Sequence, residues 1–383
     1  MPASLLITND LGPRAGGIET FIHGLIDEIA SFPGNPITIY TSHQDGHEAF
    51  DADLKERYGI DVIRDKSKVL LPTPRVNRAV AKIASERGLT TIWFGALAPL
   101  GWMSGKLRRG GAERIVALTH GHEVWWSKVW PFSVLIRRMT KHIDAITYLG
   151  SFTHGAMLPA LHKNVDAVRI APGIDTDHFS PKNSREELRA EFSLGERPVI
   201  ISVGRLVPRK GQDRLIEALP AIVNEIPDAV LMIVGIGKYE TKLRDLVTQM
   251  KMEKHVIFVG RISYSDLPRY LSMADIFAMP SRSRFFGLEV EGLGIVYLEA
   301  SSCGLPVLAG SSGGAPDAVL EGETGRVVDG NDVPAISSAL IEMLLDSENL
   351  AAMGRRGREW ALSTWSWKLW GEKFRNLLFL TAK

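Results

Sequence analysis

The stretch "LLITNDLGPRAGGIETFIHGLIDEIA", residues 5–30, decides the fold. It opens on a short apolar run, passes through a glycine-bearing loop, and then repeats Ile18, Phe21, Ile22, Leu25, Ile26 and Ile29 at three- and four-residue steps. The run has the length of a buried strand, and the repeat is the apolar stripe of an amphipathic helix. The same alternation continues through "ITIYT" (37–41), "DVIR" (61–64), "TIWFG" (91–95), "IVALTH" (115–120) and "AITYLG" (145–150), with helical patterns among them. Strand–helix alternation of this kind predicts an α/β protein with a parallel, doubly wound sheet.

The cycle then pauses. "IAPGIDTDHFSPKNS", residues 170–184, is rich in Pro, Gly, Asp and Ser and reads as a linker. It restarts with "PVIISVG" (198–204) and continues through "AVLMIVG" (229–235), "VIFVG" (256–260), "IFAMPS" (276–281), "PVLAG" (306–310) and "GRVVD" (325–329). The expectation is two Rossmann-like domains, residues 1–171 and 172–364, facing each other across a cleft. A last helix from about residue 365 to 383 would pack back on the first domain. In such sheets ligands sit beyond the carboxyl ends of the strands.

Bulk composition narrows the function classes. With 383 residues, of which 45% are hydrophobic and 23% charged, the chain is long enough for two cores. A formal net charge of +1 provides no global field for nucleic acid. The single cysteine, Cys303, excludes an intramolecular disulfide and fits a reducing cytosol. No run approaches the roughly 18 apolar residues of a spanning helix. The start "MPASLLITND" lacks a basic n-region, meets Asp10 at once, and reads as a first strand instead of a signal peptide.

Several motifs follow predicted strands. Gly16 and Gly17 stand between strand and helix, where a bare backbone and free helix N–H groups suit a phosphate; a plain tight turn is the alternative. "GRLVPRKG" (204–211) places Arg205, Arg209 and Lys210 in one strand-to-helix loop. An arginine fork and a lysine point charge suit a diphosphate, and the loop lacks the Gly-Lys-Ser/Thr ending of a P-loop; a solvated basic loop is the alternative. "THGHEV" (119–124) puts His120, His122 and Glu123 at a strand end, fit for a sugar hydroxyl or proton transfer. Zinc is set aside because no further His/Cys pair has a recognised spacing, and a structural histidine is the plain alternative.

"EVEGLGIVYLEA" (289–300) separates Glu291 from Glu299 by seven residues, with Gly292, Leu293, Gly294 and Ile295 between them. In one unbroken helix the two would stand about 12 Å apart. That exceeds the roughly 5 Å of a retaining glycosidase pair. It fits two ends of one long ligand such as a nucleotide-sugar, with the N–H groups of "GLGI" meeting its phosphates. The alternative is a helix N-terminal carboxylate plus a surface glutamate. "AGSSGGAPD" (309–317) is a weaker loop motif. "VWWSKVWPFSVLIRRMTKH" (124–142) interleaves Trp125, Trp126, Trp130 and Phe132 with cations, as at a membrane interface. "RVNRAVAKIASER" (75–87) adds Arg75, Arg78 and Lys82 at helical spacing. In both stretches core tryptophans and solvated cations are the alternative. Asp10, Trp125, Trp126, Arg75 and Arg78 are assigned to the acceptor and membrane side.

Together, the Gly16-Gly17 loop, "TH" at 119–120, "APGIDTDHF", "GRLVPRKG" and "EGLGIVYLEA" followed by "CGLPVLAGSSGGAPD" resemble the family-four retaining glycosyltransferases of the GT-B fold. They span nearly the whole chain in the right order. "TNDLGPRAGGIETF", "IWFGALAPL", "THGHEVWWS" and "VEGLGIVYLEASSCGLPVLAG" are similar to the actinobacterial branch that acts on phosphatidylinositol monomannoside. The resemblance implies retaining α-mannosyl transfer from GDP-mannose to that lipid, through an α-1,6 linkage, by a cytoplasmic enzyme peripheral to the inner face of the membrane. It implies no metal and no cofactor. Arg205 and Lys210 would stabilise the leaving GDP, Glu291 orient the mannose and Glu299 hold the ribose. Gly16 and Gly17 would offer N–H groups to phosphate, His120 would contact the sugar, and the main chain near Ile262 would meet the guanine. The implied mechanism is front-side displacement with no carboxylate nucleophile.

The sequence departs from the family pattern at "RSRFFGLEV" (282–290), a long insert before Glu291, and at Gly-Leu-Gly in place of Gly-Phe-Gly. Glu289 and Glu291 therefore compete for the mannose, and Glu291 keeps the spacing to Glu299. Other readings keep the fold: a transferase with a soluble glycan or polyol acceptor, an epimerase or hydrolase using Glu123, or a non-catalytic sugar-nucleotide binder.

Overall fold

The computed structural model describes residues 3–379 apart from 15, 33, 35, 122 and 183, so His122 of "THGHEV" and residues 380–383 of the expected last helix lie outside the described residues. The chain divides into two compact units. One runs up to Gly173 and resumes at Trp367; the other is Ile174–Ser366.

The first unit is built on a seven-stranded sheet. Its strands are β1 (Ser4–Thr8), β2 (Ile37–Thr41), β3 (Asp61–Arg64), β4 (Thr91–Phe94), β5 (Arg114–Ala117), β6 (Ala145–Tyr148) and β7 (Asp166–Arg169), in the spatial order β3-β2-β1-β4-β5-β6-β7. All pairs are parallel. Central strands of such a sheet are covered on both faces, which explains their unbroken apolar runs. Leu5, Ile7, Ile92, Phe94, Ile115 and Ala117 share a core with Val76 and Val80 of the helix Pro74–Glu86. The helix Gly17–Ala30 buries Phe21, Ile22, Leu25, Ile26 and Ile29, five of the six residues of its apolar stripe. Each such side chain contributes about 1.5–3 kcal/mol. Strand β7 escapes the sequence reading because it is short and only half buried at the sheet edge.

The second unit holds six parallel strands, β8 (Val199–Val203), β9 (Val230–Val234), β10 (Val256–Gly260), β11 (Ile276–Met279), β12 (Val307–Gly310) and β13 (Gly325–Val328), in the order β10-β9-β8-β11-β12-β13. Ile200, Leu231, Ile233 and Ile276 pack with Leu215, Ile216 and Leu219 of the helix Gln212–Glu225 and with Ile336 and Leu340 of the helix Val333–Leu345. In both sheets the first strand is central and the order reverses beside it, the switch point at which doubly wound sheets bind ligands.

The helix Ser347–Thr364 ends before Trp365, and a new helix, Trp367–Leu378, begins in the first unit. Trp365 is fully buried, and its carbonyl accepts from the Ile174 amide at 2.6 Å. The break lets the last helix bury Trp370, Phe374 and Leu377, with the Phe374 ring edge-on to Trp93 and Trp367 stacked on Phe21.

Candidate active site

The second unit assembles the most concentrated chemistry. After β8 the chain turns through Gly204 and exposes Arg205, makes a 3-10 turn over Pro208–Lys210, and enters the helix Gln212–Glu225. Gly211 is in the left-handed region (φ 78°), and a Cβ there would lie 2.2 Å from the Pro280 carbonyl oxygen, so only glycine fits. The loop is held from below. Arg282 donates two hydrogen bonds to buried Asp213 (2.8 and 2.6 Å), and its amide donates to the Arg209 carbonyl at 2.9 Å. The first residue of the insert therefore supports the basic loop.

Two of the three loop cations meet one carboxylate. Arg209 Nη1 lies 2.5 Å and Lys210 Nζ 2.9 Å from Glu291 Oε2, with only 13%, 12% and 9% of the three side chains exposed. Burial works to raise the Glu291 carboxyl, but Lys210 and Arg209, helped by Arg205, more than offset it and hold the group below its ordinary value. Glu291 is thus a buried anion, and Arg205 makes no ion pair among the described residues. Three cations face one ionised carboxylate, so the loop keeps net positive charge for an anionic ligand. Glu289 sits differently. It pairs with Arg284 at 3.0 Å and stands 3.7 Å from Arg209, with a third of its side chain exposed.

The acid Glu299 lies on the helix Ile295–Ser302, and Gly294 caps that helix in the left-handed region (φ 78°). The main chain before it is fixed by the loop that read as a weak motif. Ser312 Oγ accepts from the Glu291 amide at 3.1 Å, and the Gly314 amide donates to the Glu291 carbonyl at 2.9 Å. Tyr297, fully buried, donates to the Met279 carbonyl at 2.7 Å. These supports were not among the expected site residues. The signal was only the density of Gly and Ser after β12.

Burial pushes the Glu299 carboxyl up to about 7 from an ordinary 4.5, with Lys210 working the other way. Burial and Glu299 push the neighbouring Cys303 thiol up to about 12. The glutamate has a measurable consequence. Below pH 4.5 it is protonated folded or unfolded; between there and about 7 only the folded chain keeps the proton. Stability of the ligand-free chain therefore falls as pH rises through this window, by about 3 kcal/mol. Glu299→Gln is expected to remove that component, leaving a flatter profile of Tm against pH between 4.5 and 7 than the wild type shows. Parallel profiles would refute the assignment.

Ile262 follows β10 in irregular chain, half buried, where its main chain is not engaged in the sheet. Nearby Tyr264 stacks on His178 with ring centroids 4.9 Å apart. Burial and Glu299 hold its hydroxyl above the ordinary range.

In the first unit Gly16 precedes and Gly17 begins the helix Gly17–Ala30. A Cβ on Gly17 would meet nothing within 4 Å, whereas one on Gly16 would lie 2.3 Å from a Glu19 carboxylate oxygen, so that acid already sits beside the helix start. Asp10 and Glu19 both pair with Arg14, at 3.5 and 2.8 Å. His120 stands beyond β5. Its Nε2 lies 2.5 Å from the Gly95 carbonyl, which only accepts, so Nε2 donates and the neutral ring has its acceptor nitrogen at Nδ1. The His120 amide donates to Glu123 Oε2 at 3.0 Å, and Phe21 meets the imidazole edge-on. Glu123, fully buried, thereby fixes the main chain at His120.

The expected acceptor and membrane residues divide. Arg75 forks onto buried Asp65 at 2.6 and 2.8 Å and reaches Ser67, which ties its guanidinium to a loop. Arg78 remains exposed, folded back on the Pro74 carbonyl. Trp125 and Trp126 are half buried against Phe132, and Trp126 packs on the core. Trp130, 79% exposed, is the aromatic that faces outward.

Comparison with known proteins supplies the family. Residues 184–360 match the family described as glycosyl transferases group 1. The chain is 43% identical to the GDP-mannose-dependent alpha-(1-6)-phosphatidylinositol monomannoside mannosyltransferase of Mycolicibacterium smegmatis, over 98% of this chain and 97% of that one. It is also 43% identical to the monoacylated alpha-(1-6)-phosphatidylinositol monomannoside mannosyltransferase, likewise GDP-mannose-dependent, of Corynebacterium glutamicum, with the same coverage. The solved sucrose-phosphate synthase of Thermosynechococcus elongatus shares the fold at a TM-score of 0.79 and 22% identity, over the whole of both chains. Its two doubly wound units place the chain in the GT-B fold class. By sequence over nearly its full length, the chain belongs to the group 1 glycosyl transferases.

Proposed function

We propose that this chain transfers mannose from GDP-mannose to a phosphatidylinositol monomannoside, making an α-1,6 linkage with retention. The observation that carries the reading is the 43% identity, over 98% of the chain, to relatives named for that reaction. The second unit supports it with cations and glutamates suited to both ends of a nucleotide-sugar.

The roles follow from the chemistry. The bond between the anomeric carbon and the β-phosphate oxygen breaks, and negative charge grows on GDP. Arg205 and Lys210 meet that charge. Arg209 keeps Glu291 ionised, so that the carboxylate accepts hydrogen bonds from sugar hydroxyls. Glu299 holds the ribose hydroxyls, the N–H groups from Gly292 through Ile295 face the phosphates, and the main chain at Ile262 receives the base. On the first unit, Gly16 and Gly17 offer N–H groups to phosphate, and His120, held by Glu123 and Gly95, contacts the sugar. The acceptor hydroxyl adds on the face from which GDP departs, and its proton passes to the leaving phosphate oxygen. No helix among the described residues is long and apolar enough to cross a membrane. We place the enzyme on the inner membrane face as a peripheral protein, with Trp130 and Arg78 on the lipid side.

The test is turnover of GDP-mannose against UDP-glucose with phosphatidylinositol monomannoside in vesicles, read by mass spectrometry and linkage analysis. The expected result is a dimannoside formed from GDP-mannose alone. Glucosyl product at a similar rate would sink the donor assignment, and no lipid product would sink the acceptor.

A further inference from the structure

The insert at 282–290 builds a small feature that the reaction above does not use. Arg284 and Glu289 close a hairpin: the Arg284 amide donates to the Glu289 carbonyl at 2.9 Å, the Glu289 amide donates back at 3.2 Å, and the side chains pair at 3.0 Å. Phe285, Phe286, Gly287 and Leu288 form its tip. Phe286 is fully exposed, Phe285 is 62% exposed and Leu288 49%. Both phenylalanines are in the left-handed region, at φ 49° and 56°. Bulky side chains rarely adopt that conformation, and residues held in it cluster where ligands are clamped. The Arg284 guanidinium stands 4.7 Å over the Phe285 ring.

The hairpin is also joined to the donor chemistry. Glu289 stands 3.7 Å from Arg209, which grips Glu291. We propose that Phe285, Phe286 and Leu288 are a fingertip that inserts among the acyl chains of the lipid surface carrying the acceptor, coupling that surface to the donor loop. A convex tip of three apolar side chains has no groove for a peptide, and it suits a soft medium that closes around it. At its base Arg284 is shared between Glu289 and the Phe285 ring, so a polar, charge-balanced base carries an apolar tip, the amphipathic order of a membrane interface. The inference rests on the lipid acceptor proposed above.

The test uses the full chain and the double variant Phe285→Asn, Phe286→Asn. Asparagine tolerates the left-handed region, so the hairpin keeps its backbone and its Arg284–Glu289 closure. Both proteins are measured with phosphatidylinositol monomannoside in anionic phospholipid vesicles, with its deacylated water-soluble headgroup, and by vesicle co-sedimentation. The variant is expected to bind vesicles at least tenfold more weakly and to raise KM for the vesicle acceptor to match. Its kcat on the soluble headgroup stays within twofold of wild type. Equal losses on both acceptors would overturn the fingertip, assigning the insert to the donor site instead. So would unchanged vesicle binding accompanied by a change in oligomeric state, which would make the tip a contact between copies. If wild type mannosylates both acceptors and the variant matches it, only the fingertip falls. If wild type mannosylates neither, the proposed function falls and takes the fingertip with it.

Discussion

Lys210→Ala is expected to lower kcat by about a hundredfold or more, which corresponds to about 2.7 kcal/mol of transition-state stabilisation. The ammonium lies 2.9 Å from Glu291 and is 12% exposed, so little water competes for it. Its largest interaction would be with charge that appears only as GDP departs, so kcat and kcat/KM should fall together. The fold should survive. Arg209, 2.5 Å from Glu291 in the native chain, should keep its pair in the variant, so no buried charge is abandoned. Steady-state kinetics with saturating acceptor, beside a thermal melt, decide the matter. A folded variant with a near-normal rate removes Lys210 from the mechanism.

The second large effect is expected at Glu291. Glu291→Gln leaves Arg209 and Lys210, both mostly buried, facing a neutral amide. Removing one partner of a buried ionic cluster costs about 3–5 kcal/mol. For a unit of this size each kcal/mol shifts Tm by roughly 2–4 °C, so a fall of at least about 6 °C is expected. The variant should then gain more from GDP than wild type does, because the diphosphate supplies the missing negative charge to both cations. Calorimetry with and without GDP measures this directly. An unchanged Tm, or a GDP-induced rise smaller than that of wild type, would show that these cations do not form an anion site.

Much of the fold was legible because its periods are strong. The central strands are buried on both faces and read as unbroken apolar runs, and the helix Gly17–Ala30 shows its stripe residue by residue. What escaped was weakly patterned. Strand β7 is short and half exposed at the sheet edge. The site divides in the same way. Arg209, Lys210 and Glu291 stand out by type and spacing, but their union joins residues up to 82 positions apart and follows only from the sheet order. Ser312 and Gly314 act through small groups and main chain, which leave no chemical signature. The ion pair of Arg75 was not legible either, because its partner, Asp65, lies ten residues away across a loop and helical spacing says nothing of it.

Cys303, 4% exposed, keeps its sulfur protonated near neutrality. Thiol-directed reagents therefore find little to react with in the native chain, and Phe286→Cys adds one exposed thiol at the hairpin tip. An environment-sensitive dye attached there would report in real time whether the hairpin meets hydrocarbon, without first removing the native cysteine.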